Sequence, residues 1–151
     1  MARAGRRIVV DTYAVMADLL GQVPRTALGY LEDLRRGKVV GLIHCLIVFE
    51  LAYHWRRGRL PFYDERELLE FVSTYFRVVT LDPELAASSA RIKVVGDRLL
   101  RESGDQSLSG RRLSAADAAT IAIAKRLGIP VLSGDKDLTY VAEQLGVKVI
   151  W

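Results

Sequence analysis

The stretch LSAADAATIAIAKRLGIPVLSGDKDL constrains the fold most, because its helix and strand signals follow one another without a gap. Ser114 is suited to cap a helix, and Asp117, three residues later, can reach back towards that cap. The small side chains of 115–127 favour a helix, which a glycine and a proline then end. The apolar residues 129–132 predict a short buried strand followed by a turn. The stretch therefore places one carboxylate at a helix start and a second, Asp135, just after a strand.

Strand-like apolar runs alternate with helix-like periodic segments along the rest of the sequence. The predicted strands are 6–11, 38–43, 77–81, 129–132 and 147–151, and the predicted helices are about 12–20, 25–36, 46–57, 64–75, 82–102, 115–127 and 138–145. Thr12 is expected to cap the first helix, and 103–112 is expected to be a mobile polar loop. This alternation predicts a three-layer α/β/α fold with a central parallel sheet of about five strands, formed by residues 1–151 as a single domain.

The composition favours a protein that works in the cytoplasm. The net charge of +4 and the pI of about 9.4 suit a polyanionic partner, although 17 of the 22 basic residues are Arg, which also forms ion pairs on any surface. No apolar run approaches the roughly 18 residues of a membrane-spanning helix, and the N-terminal residues do not resemble a signal peptide. The single cysteine, Cys45, lies in an apolar run and is predicted to be a small buried hydrophobe.

Four acids stand at positions where the predicted elements would bring them together. Asp11 follows the first strand, Asp135 follows the fourth, Asp117 opens the helix before it, and Glu50 lies inside a mainly apolar helix. Each aspartate alone has an ordinary explanation as a cap or turn residue, whereas a carboxylate among apolar neighbours is seldom tolerated without a partner. Because the carboxyl ends of parallel strands share one edge of the sheet, we expect the four acids to converge there.

Convergence of four acids would require a compensating positive charge. Two carboxylates about 5 Å apart repel by roughly 3 kcal/mol at an effective dielectric constant near 20. Oxygen ligands without histidine or cysteine in the pattern suit Mg²⁺ or Mn²⁺ better than zinc. The two histidines, His44 and His54, lie on different predicted elements, and we expect both to be structural.

Four motifs resemble those of PIN-domain ribonucleases, and in particular the toxin component of VapBC-type toxin–antitoxin pairs. They are IVVDT at 8–12, VFEL at 48–51, AADAA at 115–119 and VLSGDKDL at 131–138, and they occur in the family's order over nearly the whole chain. Two positions depart from the family's pattern. Ser133 replaces the threonine of many members, which should preserve a hydroxyl, and His44 and Cys45 precede the Glu50 helix where small capping residues or proline are common.

The resemblance also implies roles for individual residues. It places an acidic Mg²⁺ or Mn²⁺ site on four carboxylates, namely Asp11, Glu50, Asp117 and Asp135. Thr12 would contribute a hydroxyl beside the first acid. Asp137 matches a further acid of some members, and it would either bind the metal through water or cap the last helix.

The resemblance and the acids together predict a metal-dependent endoribonuclease that hydrolyses RNA phosphodiester bonds, acting as the toxin of a toxin–antitoxin pair. The alternative is a catalytically silent PIN-like module that only binds RNA or a partner. A phosphohydrolase of the haloacid dehalogenase type is disfavoured, because it needs a second aspartate two residues after Asp11, where Tyr13 stands.

The expected partners are RNA, a cognate antitoxin and a second copy of the chain, with no membrane. Arg111, Arg112 and Lys136 flank the predicted site and could contact RNA phosphates, although solvated charge is the commoner role for such residues. A cluster of aromatic residues is more than so small a chain is expected to bury, which suggests a dimer or partner surface. Its members are Tyr53, Trp55, Phe62, Tyr63, Phe71, Tyr75 and Phe76.

Overall fold

A computed structural model describes residues 5–151, in which strands and helices alternate as expected. In chain order the elements are β1 (Arg6–Val10), α1 (Thr12–Leu19), α2 (Arg25–Arg35), β2 (Val39–His44), α3 (Cys45–Arg56), α4 (Glu65–Tyr75), β3 (Phe76–Val79), α5 (Pro83–Arg101), α6 (Gln106–Ser109), α7 (Ala115–Leu127), β4 (Val131–Leu132), α8 (Lys136–Gln144) and β5 (Val149–Ile150). The helix predicted over 115–127 has the expected bounds, with Gly128 in the left-handed conformation at φ 64° after its last turn.

The strands form one parallel sheet in the order β3-β2-β1-β4-β5. From β1 the chain adds β2 and then β3 on one side, and it then returns to add β4 and β5 on the other side. Val10 lies opposite Leu132 in this pairing, so Asp11 and Ser133 follow directly at adjacent strand ends. In open α/β sheets, such a switch in strand order opens a crevice at the carboxyl ends of the strands.

Helices cover both faces of the sheet, and the sheet separates two hydrophobic cores. In β1, Ile8 and Val10 pack into one core, whereas Val9 packs into the other. The first core receives residues of α1 to α4, such as Ile47, and the second receives residues of α5, α7 and α8, such as Ile121. Burial on both faces explains why residues 8–10 of β1 and most of β2 and β4 are apolar. The three-layer α/β/α prediction is therefore confirmed.

Three local predictions were wrong. Thr12 is the first residue of α1 and not its cap, because the Asp11 carboxylate accepts a hydrogen bond from the Ala14 amide at 3.0 Å. Cys45 is exposed, because β2 runs directly into α3 and the preceding residue, His44, takes the buried position. The segment predicted as a loop over 103–112 contains helix α6, which packs Leu108 into the second core.

The two strands on the far side of β1 are shorter than predicted. β4 and β5 pair through two residues each, Val131 with Val149 and Leu132 with Ile150. Within residues 5–151, no helix combines the length and the apolar character needed to cross a bilayer.

Candidate active site

Asp11 lies at the end of β1 and is almost fully buried, with 2% of its surface exposed. Its Oδ1 accepts the Ala14 amide, and its Oδ2 accepts the Ser133 hydroxyl at 2.7 Å. Burial raises the pKa of Asp11 to about 7, because both hydrogen bonds favour the charged form but do not offset the lost hydration. The negative charges of Asp135 and Glu50 make a smaller contribution to the same rise.

Asp117 lies in the first turn of α7, three residues after the N-cap residue Ser114. The Ser114 hydroxyl accepts the Asp117 amide at 3.0 Å, which confirms the predicted cap. Burial, with smaller contributions from the charges of Asp11 and Asp135, raises the pKa of Asp117 to about 8. A helix N-terminus ordinarily stabilises a carboxylate, so burial and the neighbouring acids outweigh that stabilisation here.

The other two acids come from α3 and from the turn after β4. Glu50 is half-buried on α3, and its Oε1 accepts the Thr12 hydroxyl at 3.2 Å. Burial raises the pKa of Glu50, and the charge of Asp135 adds to the shift. Asp135 caps α8 by accepting the Leu138 amide at 2.9 Å, and its own amide donates to the Ser133 hydroxyl at 3.0 Å.

The four predicted carboxylates line one cleft of about 290 Å³. Its lining comes from three helices and the turn after β4, and consists of Asp11, Thr12, Tyr13, Met16, Glu50, His54, Ser114, Asp117 and Asp135. Neither lysine nor arginine is among these described residues. The raised pKa values of Asp11, Glu50 and Asp117 follow mainly from burial, and the neighbouring negative charges add to it.

The donor atoms of this cleft fit a hard divalent cation. Apart from the His54 ring nitrogens and the Met16 sulfur, they are carboxylate and hydroxyl oxygens, which are the ligands that Mg²⁺ and Mn²⁺ prefer. A cation would also relieve the mutual repulsion of the acids. In the part of the chain that the structure describes, no three His, Cys, Asp or Glu side chains are already grouped closely enough to hold an ion. Each acid is instead held by its own cap or hydroxyl, as with Asp11 and Ser133 or Glu50 and Thr12.

Asp137 lies beside the cleft and is not part of its lining. It occupies the first turn of α8, whose cap is Asp135, so the capping role expected as one option belongs to its neighbour. Its Oδ1 accepts from Arg111 at 3.4 Å. Burial and the charge of Asp135 raise the pKa of Asp137, whereas Arg111 lowers it. Water-mediated metal binding by Asp137 stays a prediction.

Two of the basic residues expected near the site are engaged in ion pairs. Arg111 pairs with Asp137, and Lys136 Nζ lies 3.3 Å from the Asp105 carboxylate. Both flank the cleft and neither is part of its lining. A phosphate contact from either residue would therefore compete with an existing carboxylate partner.

The two histidines occupy different environments. His44 is fully buried at the end of β2, where its Nε2 lies 3.1 Å from the Ala116 carbonyl oxygen and 3.0 Å from the Thr120 hydroxyl. Burial lowers the pKa of His44 to about 4, so the ring is neutral and holds α7 against the sheet. His54 was expected to be structural but lines the cleft, one helical turn after Glu50. The spacing of four residues was the sequence signal for this position.

Comparisons with solved structures show the same fold at low sequence identity. VapBC2 from Rickettsia felis, bound to a promoter DNA fragment, matches with a TM-score of 0.64 and 11% identity, covering 96% of this chain and 98% of that one. Mycobacterium tuberculosis VapC20, a sarcin–ricin loop cleaving toxin, matches with a TM-score of 0.55 and 21% identity, covering 87% and 92%. VapBC-5 from the same organism, of the VapBC family of toxin–antitoxin systems, matches with a TM-score of 0.54 and 21% identity, covering 95% and 97%.

The protein is an α/β domain built on a parallel sheet. Its acidic cleft lies at the strand ends, where the strand order switches. Residues 8–144 match the PIN domain family, and the chain belongs to that family. The resemblance drawn from the four motifs is therefore confirmed. A comparison with curated proteins found no match.

Proposed function

We propose that this chain is a metal-dependent endoribonuclease that uses Mg²⁺ or Mn²⁺ to hydrolyse RNA phosphodiester bonds, with residues 1–151 as one nuclease domain. The observation that carries the proposal is the meeting of Asp11, Glu50, Asp117 and Asp135 in one cleft, whose lining within residues 5–151 contains no lysine or arginine. Raised pKa values of two of these acids, about 7 and about 8, support it because such crowding is unfavourable without a cation.

The chain's own residues have distinct tasks in this reaction. Asp11, Glu50, Asp117 and Asp135 hold the metal, which when bound supplies an acidified water and neutralises charge on the reacting phosphate. Ser133 favours the charged form of the Asp11 carboxylate and orients it through the hydrogen bond to Oδ2. The Thr12 hydroxyl does the same for Glu50, and Asp137 acts through water at the edge of the site.

Cleavage of single-stranded RNA by the purified chain tests the proposal. Asp11→Asn should lower the rate in Mg²⁺ or Mn²⁺ by at least about 10²-fold, and asparagine is suited to keep the α1 cap. Glu32→Gln is the matched control, because Glu32 is exposed on α2 and does not line the cleft. Equal cleavage by Asp11→Asn and the control would reject the assignment. RNA binding without cleavage in either metal would instead favour the catalytically silent binding module.

We further propose that the chain acts in the cytoplasm as the toxin of a toxin–antitoxin pair. The support is its similarity to VapC20, a toxin, and to VapBC-5, a member of a toxin–antitoxin family. Expression of the wild type in a bacterial host should stop growth, and a cognate antitoxin encoded beside it should restore growth and co-purify with the chain. Growth arrest that persists in Asp11→Asn would contradict this role.

A homodimer is the third part of the proposal. Three members of the aromatic cluster are exposed at 91%, 51% and 38%, namely Tyr63, Tyr53 and Tyr75. The other members, such as Phe62 and Phe71 with ring centroids 5.3 Å apart, pack against the first core. The exposed members are available for a partner surface. Sedimentation of the purified chain should give twice the monomer mass, and a monomer at all concentrations would contradict the dimer.

A further inference from the structure

Two aromatic rings meet over the backbone of Gly134, directly beside the acidic cleft. Tyr13 and Trp151 lie edge to face, with ring centroids 5.4 Å apart and ring planes at 77°. A Cβ atom at Gly134 would lie 2.5 Å from the Trp151 ring and 2.6 Å from the Tyr13 ring. Only glycine permits this approach, so the rings rest on the same turn that carries Ser133 and Asp135.

The pair lies between two hollows of the surface. Tyr13 lines the acidic cleft, whereas Trp151 lines a neighbouring hollow of about 440 Å³ on the other side of Gly134. That second hollow contains one lysine and one glutamate, Lys136 and Glu143, so its charged lining residues balance. An aromatic wall without net charge suits the flat face of a base better than it suits a phosphate.

Tyr13 is accessible to such a base. It is 47% exposed, although it follows two buried residues at the start of α1. Trp151 is half-buried and packs against the first core, so Tyr13 offers most of the exposed aromatic surface of the pair. The acids of the cleft explain where a scissile phosphate would be held, but in themselves they do nothing to hold the bases on either side of it.

We propose that Tyr13 and Trp151, here called the aromatic platform, stack a nucleobase next to the scissile phosphate of a single-stranded RNA. The inference rests on the proposed ribonuclease function and adds the place of the flanking nucleotide. Stacking accepts any base, because every base presents a π face. The two residues are positioning residues, so the platform contributes to substrate binding more than to the chemical step.

Kinetics separate this role from a purely structural one. Tyr13→Leu should raise KM for single-stranded RNA by about tenfold or more and change kcat by less than about twofold, as expected for the loss of one stacked base. Tyr13→Phe should restore KM, since the ring and not the hydroxyl does the stacking. Val94→Ala is the control, because Val94 is 71% exposed on α5 and does not line either hollow.

A binding measurement without cleavage distinguishes failure of the platform from failure of the nuclease. A short oligoribonucleotide with 2-aminopurine at alternate positions is titrated with the protein in EDTA. The wild type and Val94→Ala should quench its fluorescence, and Tyr13→Leu should lose most of the quenching. Quenching by the wild type without cleavage in Mg²⁺ or Mn²⁺ would reject the ribonuclease and keep the platform. Absence of quenching by the wild type would overturn the proposal that the platform stacks a base, and so would quenching and KM in Tyr13→Leu equal to those of the wild type. Contact with a protein partner would then be the remaining role for these rings.

Discussion

The Ser133 hydroxyl joins two strand ends by donating a 2.7 Å hydrogen bond to Oδ2 of Asp11. Both side chains are buried, with 0% and 2% of their surface exposed. The same hydroxyl accepts the Asp135 amide at 3.0 Å, so one atom contacts two of the four acidic residues. Because this hydrogen bond lowers the pKa of Asp11 while burial raises it, Ser133 determines how much of Asp11 is charged near neutral pH.

Removal of this hydroxyl should therefore leave Asp11 harder to ionise. Ser133→Ala is expected to raise the pKa of Asp11 above about 7 and, at higher pH, to destabilise the metal-free protein by about 1–3 kcal/mol. Ser133→Thr retains the hydroxyl and should keep the pKa close to that of the wild type. Titration of the Asp11 carboxyl carbon by NMR in EDTA measures the shift. An unchanged pKa in Ser133→Ala would show that the hydrogen bond does not act on Asp11.

The metal-free protein should lose stability as the pH rises through neutrality. The folded pKa values of Asp11 and Asp117, about 7 and about 8, lie above their ordinary value of 3.8. The unfolded chain releases these protons first, so the free energy of unfolding falls as the pH rises from about 3.8 towards about 8. His44 acts in the opposite direction below about pH 6.5, because its folded pKa is lowered to about 4.

Urea unfolding in EDTA, compared at about pH 6.5 and about pH 8.5, measures the effect of the two acids on stability with little contribution from the titration of His44. The free energy of unfolding should be lower at the higher pH by about 1–2 kcal/mol, after allowance for solvent screening. Saturating Mn²⁺ should remove or reverse the difference, because the cation favours the charged acids. Equal or greater stability at the higher pH in EDTA would contradict the crowding of the carboxylates.

Neutralisation of one acid should stabilise the metal-free protein. Asp117→Asn removes a charge that burial, Asp11 and Asp135 all disfavour, and the Ser114 cap remains because it uses the backbone amide. At about pH 8.5 in EDTA the free energy of unfolding should rise by about 1–2 kcal/mol, and Glu32→Gln should leave it unchanged. Calorimetric melting of the three proteins checks this. A lower melting temperature for Asp117→Asn would mean that the acid is already compensated without metal.

Local signals in the sequence were sufficient for the elements around the site. The Ser114 cap and the glycine after α7 define that helix through interactions a few residues apart, and the structure has the predicted bounds. The parallel direction of the strands could be predicted from their alternation with helices. The prediction of Thr12 as the cap of α1 was wrong for a local reason, because both Asp11 and the following threonine are good N-caps and only the backbone geometry decides between them.

Contacts between distant residues could not be predicted in this way. The Ser133 bond to Asp11 and the His44 contact with Thr120 join residues far apart in the chain, and no periodicity encodes such pairs. The exposure of Cys45 depends on the direct junction of β2 and α3, which an apolar run does not show. The presence of His54 in the cleft depends likewise on how α3 is rotated about its axis.

The most direct test of the account is the affinity of the chain for Mn²⁺, measured by isothermal titration calorimetry on the wild type and on five variants. If four carboxylates form one site, Asp11→Asn, Glu50→Gln, Asp117→Asn and Asp135→Asn should each weaken binding by at least about tenfold, which is the scale of losing a metal-site group. Glu32→Gln should bind as the wild type does. Unchanged Mn²⁺ affinity in the four cleft variants would contradict the central claim that these acids hold a metal together.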